Sequence, residues 1–498
     1  MGFIKKKFIL IFSFFLLTNT YVGLAQQFEP VVPSGPIDLE EAIGIALRNN
    51  PQLRKSNLQV QGSINSYEQS KWQRWPSLNF NATQGFSFGR NIDPFTNQFV
   101  QQNINFNNFQ LGSSVTLYSG LQQHNTILQN QYNAQATQKE YEAARNDLML
   151  NVALTYLQIL NNKELINVSE LQLLATQEQV NRMERLVNAG AEAEAKLLDL
   201  RAQQANEELN LLNAKNNYEV SILNLKQLLN LPGNVALEIR EIPLKDPELL
   251  AYGATVDEVF EAAISHLPQA EAAKLRIKAA DKAIDVARGR YLPTLSMSAG
   301  ISSAYSSNAP SERFIANGQP STTMEVPSET QFITLNGDRH YITQVVTIPG
   351  GEYRHFNYFD VLDFNRNSSI NFSLRIPIFN NFQVKYSVAN ARLQKMSAEY
   401  DDQITVNTIR QNIEQAYIDM INAAKRYSAT RNQVRAFEEA YRAAESRFNA
   451  GVLNTAEYNI AKANLDRGKA NLVQAKYDYI FRTKVLDFYM AKPLNLDQ

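Results

Sequence analysis

Residues 121–188 read LQQHNTILQNQYNAQATQKEYEAARNDLMLNVALTYLQILNNKELINVSELQLLATQEQVNRMERLVN, 68 residues without a proline or a glycine. At 1.5 Å per residue a continuous helix of this length is roughly 100 Å long, where globular helices average about 11–12 residues. No compact domain contains it. Val152, Ile159, Ile166, Leu173, Val180 and Val187 fall at a seven-residue spacing, all apolar, which is the seam of a coiled coil. The neighbouring row, Leu148, Thr155, Asn162, Ser169, Thr176 and Met183, is mostly small or polar. It predicts a thin, wet seam, suited to helices side by side in a wall with water on one side.

The stretch occurs twice. Adding 261 turns the apolar row into Ile413, Met420, Tyr427, Val434, Tyr441 and Phe448. The same offset carries Tyr156 onto Tyr417, Asn188-Ala189-Gly190 onto Asn449-Ala450-Gly451, Tyr218 onto Tyr479 and Pro232 onto Pro493. The chain is therefore an internal duplication of a long-helix unit.

Upstream of the long helices the offset is 217: Leu39-Glu40-Glu41 matches Val256-Asp257-Glu258, Pro51 matches Pro268, and Pro76 matches Pro293. The second copy thus holds 44 extra residues, all between its strands. A first repeat is expected over residues 26–253: helix 38–75, strands 77–89 and 109–119, long helix 121–188, tip 189–191, return helix 192–231 and an irregular crossover 232–253. A second is expected over 254–498: helix 255–291, strands 294–303 and 368–379, loop 304–366, long helix 381–448, tip 449–452 and return helix 453–491. Helix 38–75 starts at the N-cap Asp38 with Glu41 three residues on, passes Pro51 and stops at Pro76. Pro76 and Pro293 are read as the helix-to-strand breaks, and a short strand is expected at Val235–Ile239.

The strands show period two. Leu78, Phe80, Ala82, Phe86 and Phe88 alternate with Ser77, Asn79, Asn81, Thr83 and Ser87, and Phe109, Leu111, Val115 and Leu117 with Gln110, Gly112, Ser114 and Thr116. Leu295, Met297, Ala299 and Ile301, then Ile370, Phe372, Leu374, Ile376 and Ile378, repeat the pattern in the second copy. One apolar and one hydroxyl or amide face is the mark of a half-buried strand, and about 9–11 residues suffice to span a membrane. Hairpins on a soluble core are the alternative, but each pair lies between long helices with no other sheet to pack on. Four strands leave bare edges, and small closed barrels begin at about eight, so closure needs several chains; three supply twelve strands.

Residues 1–25 carry the parts of a secretory signal: Lys5, Lys6 and Lys7, an apolar run from Phe8 to Leu17, and Gly23-Leu24-Ala25 for cleavage. Ten apolar residues are too few for a membrane anchor. Without the three lysines, 45 basic residues stand against 49 acidic ones, which gives no push toward nucleic acid. Cysteine is absent, so there is neither a disulfide nor a lipidated N-terminal cysteine. His124, His266, His340 and His355 keep no ligand spacing with acids, no nucleophile or phosphate-loop motif occurs, and the carboxylates, interleaved with Lys and Arg on long helices, read as a solvated face. No catalytic residue, cofactor or metal is expected.

The order of elements, two copies of helix, strand, strand, long helix, tip glycine and returning helix behind a signal segment, resembles the TolC family of outer-membrane efflux channels over nearly the whole mature chain. The resemblance implies an α+β membrane protein of the Gram-negative outer membrane. It would be a homotrimer whose four strands per chain complete a 12-stranded barrel, continued by a coiled-coil periplasmic tunnel. Its implied role is a passive exit duct for small molecules such as drugs, joined through a periplasmic adaptor to an inner-membrane pump. The loops 90–108 and 304–366 would then be extracellular, and Asn188, Ala189, Gly190, Asn449, Ala450 and Gly451 would meet the adaptor. The family's aperture acid, six residues past the tip glycine, is matched by Glu457 in the second copy, whereas Lys196 holds that place in the first and Ile460 the place of a second acid. Glu457 and Lys196 are thus the candidate gate, Lys196 as counter-charge from the adjacent hairpin. An exit duct of a type I protein secretion system shares this architecture. A structural coiled-coil surface protein or adhesin is the alternative of another class; it has no need of four amphipathic strands.

Overall fold

A computed structural model describes residues 30–92, 97, 99–101, 103–240, 246–247, 252–335 and 337–492. The expected signal segment, Pro493 and most of residues 241–251 in the crossover lie outside the described residues. Two compact units divide the chain, one taking in residues up to Ser63, Ala134–Ile277 and Ala398 onward, the other Ile64–Asn133 and Lys278–Ser397.

Each copy opens with two helices where the sequence suggested one. The first has α1 (Leu39–Asn49) and α2 (Pro51–Trp72), separated by Asn50 in an extended conformation, φ −66° and ψ 117°. A proline ring clashes with a helical residue before it but fits the first position of a new helix, so Pro51 ends one helix and begins the next. The second copy's α5 (Val256–His266) and α6 (Pro268–Gly289) break identically, at Leu267 before Pro268. Reciprocal capping boxes start α1 (Asp38 with Glu41) and α5 (Thr255 with Glu258). Because α2 and α6 already end at Trp72 and Gly289, Pro76 and Pro293 do not stop helices; they stand immediately before β1 (Ser77–Ser87) and β5 (Thr294–Ser306).

Each long helix has 67 residues, α3 at Gln122–Asn188 and α8 at Gln383–Asn449, and each return helix 35, α4 at Glu194–Leu228 and α9 at Thr455–Tyr489. The wet second seam is corrected: Leu148, Asn162, Thr176 and Met183 are buried. Asn162 Nδ2 donates to the Asn217 carbonyl at 3.1 Å and Thr176 Oγ1 to Glu207 Oε2 at 2.6 Å, so these polar positions hold α4 against α3. In the first unit, Leu39, Ala42, Ile45 and Leu53 pack with Val152, Tyr156, Ile159, Leu225 and Leu229. The duplicate core joins Val259, Phe260 and Ala263 to Ile413, Met420, Tyr479 and Leu486. Each large apolar side chain so buried contributes about 1.5–3 kcal/mol. The crossover forms no strand at 235–239; a single parallel bridge joins Ile239 to Ile37, and the Tyr156 hydroxyl, donating to the Arg240 carbonyl at 2.6 Å, fastens it to α3.

In the second unit, β1, β4 (Ile104–Ser119), β5 and β10 (Asn367–Arg375) form one antiparallel sheet in the order β1-β4-β5-β10. Its register sets Phe80 opposite Leu111, Leu111 opposite Ile301, and Met297 opposite Phe372. A bulge between Thr116 and Tyr118 interrupts the pairing of β4 with β5, so Leu117 departs from the strict alternation read in the sequence. Where strands return to helices, both copies place two residues in succession at positive φ: Gly120 and Leu121 at 61° and 63°, Asn381 and Phe382 at 50° and 59°. Gly120 also lies against Gly289, where an added Cβ would come within 2.4 Å of the Gly289 carbonyl oxygen.

Residues 304–366, read from the sequence only as a loop between the second copy's strands, carry structure of their own. Two hairpins, β6 (Glu312–Ala316) with β9 (Gly351–His355) and β7 (Thr322–Leu335) with β8 (Asp338–Ile348), are followed by the short helix α7 (Tyr358–Phe364). In the first copy's loop, β2 (Arg90–Ile92) pairs with β3 (Phe99–Gln101).

Candidate functional site at the hairpin tips and on the sheet

The two tips are built alike. At the end of α3 the Gly190 amide donates to the Val187 carbonyl at 2.9 Å and the Ala191 amide to the Leu186 carbonyl at 2.9 Å; at the end of α8 Gly451 donates to Phe448 and Val452 to Arg447, at 3.0 and 2.9 Å. This is a Schellman motif, which needs a left-handed residue, and both glycines have φ near +70°. Nothing lies within 4 Å of an added Cβ at either, so conformation rather than packing requires glycine. The hairpins touch through Asn449, whose Oδ1 accepts from Arg182 Nη1 at 2.8 Å, and through Leu453 and Tyr458 packed on Val180, Met183, Leu197 and Leu200. Phe448 stacks on Tyr458 at 4.6 Å.

Glu457 and Lys196 do not meet within the chain. Asn454 caps the helix that carries Glu457: the Glu457 amide donates to Asn454 Oδ1 at 2.8 Å, and Asn454 Nδ2 donates to Glu457 Oε1 at 2.9 Å. In the first copy Ala193 is the N-cap and makes no side-chain cap bond, and Lys196 Nζ pairs with Glu192 at 2.6 Å.

Beyond the tips lies a charged group that the solvated-face reading missed. Glu207 and Lys462 are 3% and 4% exposed. Lys462 Nζ donates to Glu207 Oε1 at 2.8 Å and to Asp466 Oδ2 at 2.7 Å. Thr176 and Gln203 donate to Glu207 at 2.6 and 2.8 Å, and Gln172 Nε2 donates to the Asp466 carbonyl at 3.1 Å. Burial, the largest influence on Lys462, lowers its pKa, but Asp466 and Glu207 outweigh it and leave the ammonium above its ordinary value; burial pushes the Asp466 carboxyl up. The group links α3 through Gln172 and Thr176, α4 through Gln203 and Glu207, and α9 through Lys462 and Asp466. The signal was a mismatch between the copies. At the offset of 261, Thr176 and Glu207 correspond to Phe437 and Gly468, and a Cβ on Gly468 would meet Phe437 at 3.0 Å. One copy fills the helix contact with a hydroxyl and a carboxylate, the other with a ring and no side chain.

The sheet's faces follow its register. Leu78 and Phe80, Phe109 and Leu111, Met297 and Ile301, Ile370 and Phe372 share one side; Asn79, Gln110, Ser296 and Asn371 lie on the other. Phe80 and Phe109 stack at 6.5 Å. The apolar side is uncovered at both edges: Phe80 is 60% exposed, Ile370 68% and Phe372 66%. Among the described residues, neither β1 nor β10 has a neighbour on its outer edge. Among the described residues no helix is long and apolar enough to cross a membrane, and no group of three metal-ligating side chains occurs.

Comparison with known proteins bears on the whole arrangement. The fold is similar to that of the Vibrio cholerae outer membrane protein VceC, at a TM-score of 0.69 and 16% identity, covering 91% of this chain and 94% of that one. The Campylobacter jejuni CmeC outer membrane channel gives 0.68 at 17% identity, covering 91% and 85%. The open state of the Neisseria gonorrhoeae MtrE outer membrane channel gives 0.66 at 17%, covering 92% and 90%. In sequence, an uncharacterised protein of Haemophilus influenzae is 27% identical over 271 residues, 54% of this chain and 57% of that protein, so the chain spans little more than half the length of the curated relative it matches. The sequence profile of the outer membrane efflux proteins matches residues 42–231 and 360–489, both long-helix units with what flanks them, and the chain belongs to the outer membrane efflux protein family.

Proposed function

We propose that three copies of the chain close a 12-stranded barrel in the outer membrane and serve as the passive exit duct of an efflux assembly. The duct would carry small molecules from periplasm to exterior, reached by an inner-membrane pump through a periplasmic adaptor at the tips. The observation that carries this is the four-stranded sheet, of membrane length, apolar on one side, polar on the other and open at both edges. Open edges invite pairing with another chain, and an apolar outer side with a polar inner one is the pattern of a transmembrane barrel.

Two further features support the reading. Trp72, Trp75, Tyr118, Tyr291 and Phe379 are exposed at one end of the sheet, as an aromatic girdle at a membrane boundary would be. Free seams also run along the helices: Leu198 and Leu212, then Leu209 and Leu223, on α4, and Tyr386, Leu393 and Tyr400 on α8, are exposed at heptad spacing. Neighbouring copies would cover them. At the tip, Glu457 of each copy would ring the aperture with Lys196 of the next copy as counter-charge. Parting them would favour the open state.

Disrupting the gene in its host and measuring intracellular accumulation of a panel of fluorescent dyes tests the function. Accumulation of at least one dye should rise and return to the starting level on complementation with the intact gene. Unchanged accumulation across the panel, with the protein present in the parent's outer membrane, would overturn small-molecule efflux.

A further inference from the structure

The insertion peculiar to the second copy sets a short helix, α7, against the apolar side of the sheet at β5. Ser303 and Tyr305 continue the row of Met297 and Ile301 along β5, and both are engaged by α7. Ser303 Oγ donates to the Leu362 carbonyl at 2.5 Å, and the Tyr305 ring lies 4.7 Å from that of Tyr358. Asn365 Nδ2, just past the helix, donates to the Ala304 carbonyl at 2.8 Å. The seven-residue helix YFDVLDF buries Val361 but leaves Phe359 71% and Phe364 58% exposed.

Beside it, the β6–β9 register sets Arg313 directly opposite Arg354. Opposed residues project from the same side of a hairpin, and like charges so placed repel. The Arg313 guanidinium lies 5.4 Å from the Phe356 ring and 5.1 Å from the Phe364 ring, so that side of the hairpin faces α7. Burial lowers the Arg313 pKa. Glu352, two residues along on the same side, makes no ion pair with Arg354 among the described residues. Arg366, immediately after α7, is held by an exposed pair with Asp363 at 3.4 Å.

Aromatic side chains uncovered on the apolar flank of a strand, next to guanidiniums, match a molecule that is hydrocarbon at one end and anionic at the other. Arginine forks bind phosphate oxygens bidentately, and a phosphate between Arg313 and Arg354 would relieve their repulsion. We infer that α7 and the β6–β9 hairpin form a binding site for a phosphorylated lipid of the outer leaflet, with Phe359 and Phe364 against its acyl chains and Arg313, Arg354 and Arg366 around its phosphate. The inference rests on the barrel reading, which makes the apolar side of β5 the lipid side and the insertion extracellular.

The test is native mass spectrometry of the full-length protein in detergent, titrated with lipid A, with dephosphorylated lipid A and with inorganic phosphate. Lipid A should bind saturably, and its dephosphorylated form about tenfold more weakly or worse. Inorganic phosphate should not displace it at equal concentration, which separates a lipid site from a phosphate site. Arg354→Glu with Arg366→Glu should weaken lipid A binding by about tenfold or more, whereas Arg339→Glu, in the β7–β8 hairpin, should not. Arg354→Gln serves as the milder variant if the charge reversals fail to assemble. Equal binding of the two lipids, or of the parent and the Arg354 variants in their assembled form, would overturn the inference. Outer-membrane fractionation of the parent separates the two readings: absence from that fraction overturns the barrel itself, and its presence with equal lipid binding overturns this site alone.

Discussion

Lys462 of α9 joins the two hairpins through Glu207 of α4. Replacing it with methionine leaves the buried Glu207 and the half-buried Asp466 without their cation and should destabilise the fold by about 3–5 kcal/mol, read as a lower thermal midpoint. A loss below about 1 kcal/mol would mean that the ion group is hydrated. The second copy's counterpart of Glu207, Gly468, offers a reciprocal check. Gly468→Leu should cost about 1–3 kcal/mol by overpacking against Phe437, and Phe437→Ala in the same chain should recover part of that loss. Additive losses in the double variant would show that the two sites do not share space. The tip glycines could be read from the sequence because a left-handed cap restricts residue type strongly. The ion group could not, since a carboxylate or lysine on a long helix looks the same facing water or a partner helix. Only the exchange of Thr176 and Glu207 for Phe437 and Gly468 marked it.

Long helices and membrane-length strands declare themselves by period, and the structure has them within a few residues of the sequence reading. What the sequence reading missed at this scale were local backbone events: the breaks before Pro51 and Pro268, the bulge beside Leu117, and the hairpins between β5 and β10, whose Ser, Pro and Gly content masks alternating strands. The helix 38–75 was read as continuing past Pro51, but a proline's clash acts on the residue before it and ends the helix there. The faces of the sheet yield a direct prediction. Arginine at a lipid-facing midplane position costs about 2–4 kcal/mol, so Phe372→Arg should reduce outer-membrane assembly far more than Asn371→Arg, measured as folded protein in the outer-membrane fraction. Equal effects would mean that neither face meets lipid, and a larger effect of Asn371→Arg that the faces are reversed. Where the end of α6 lies against the strand-to-helix turn at Gly120, Gly289→Ala should also impair assembly, because its Cβ would lie 2.6 Å from the Gly120 carbonyl oxygen; normal yield would show that the turn relaxes freely.

For the whole molecule, the proposed assembly of three copies in a membrane would satisfy several features of the single chain at once: two sheet edges without neighbours among the described residues, apolar seams along α4 and α8, and an apolar sheet face exposed at both edges. Cysteine is absent from the chain, so introduced cysteines report on that assembly without background. Within one chain β1 and β10 are separated by β4 and β5, which places them roughly 14 Å apart at ordinary strand spacing, beyond the reach of about 4.4–6.8 Å between disulfide-bonded Cα atoms. A disulfide between them must therefore join different chains. The measurement is oxidation, in outer-membrane vesicles, of variants carrying one cysteine on β1 (Asn79→Cys or Asn81→Cys) and one on β10 (Asn371→Cys or Ser373→Cys), followed by non-reducing electrophoresis. At least one pairing should give a covalent trimer that collapses to monomer on reduction. Monomers alone at all four pairings, with the protein present in the outer membrane, would contradict closure of the barrel through these edges.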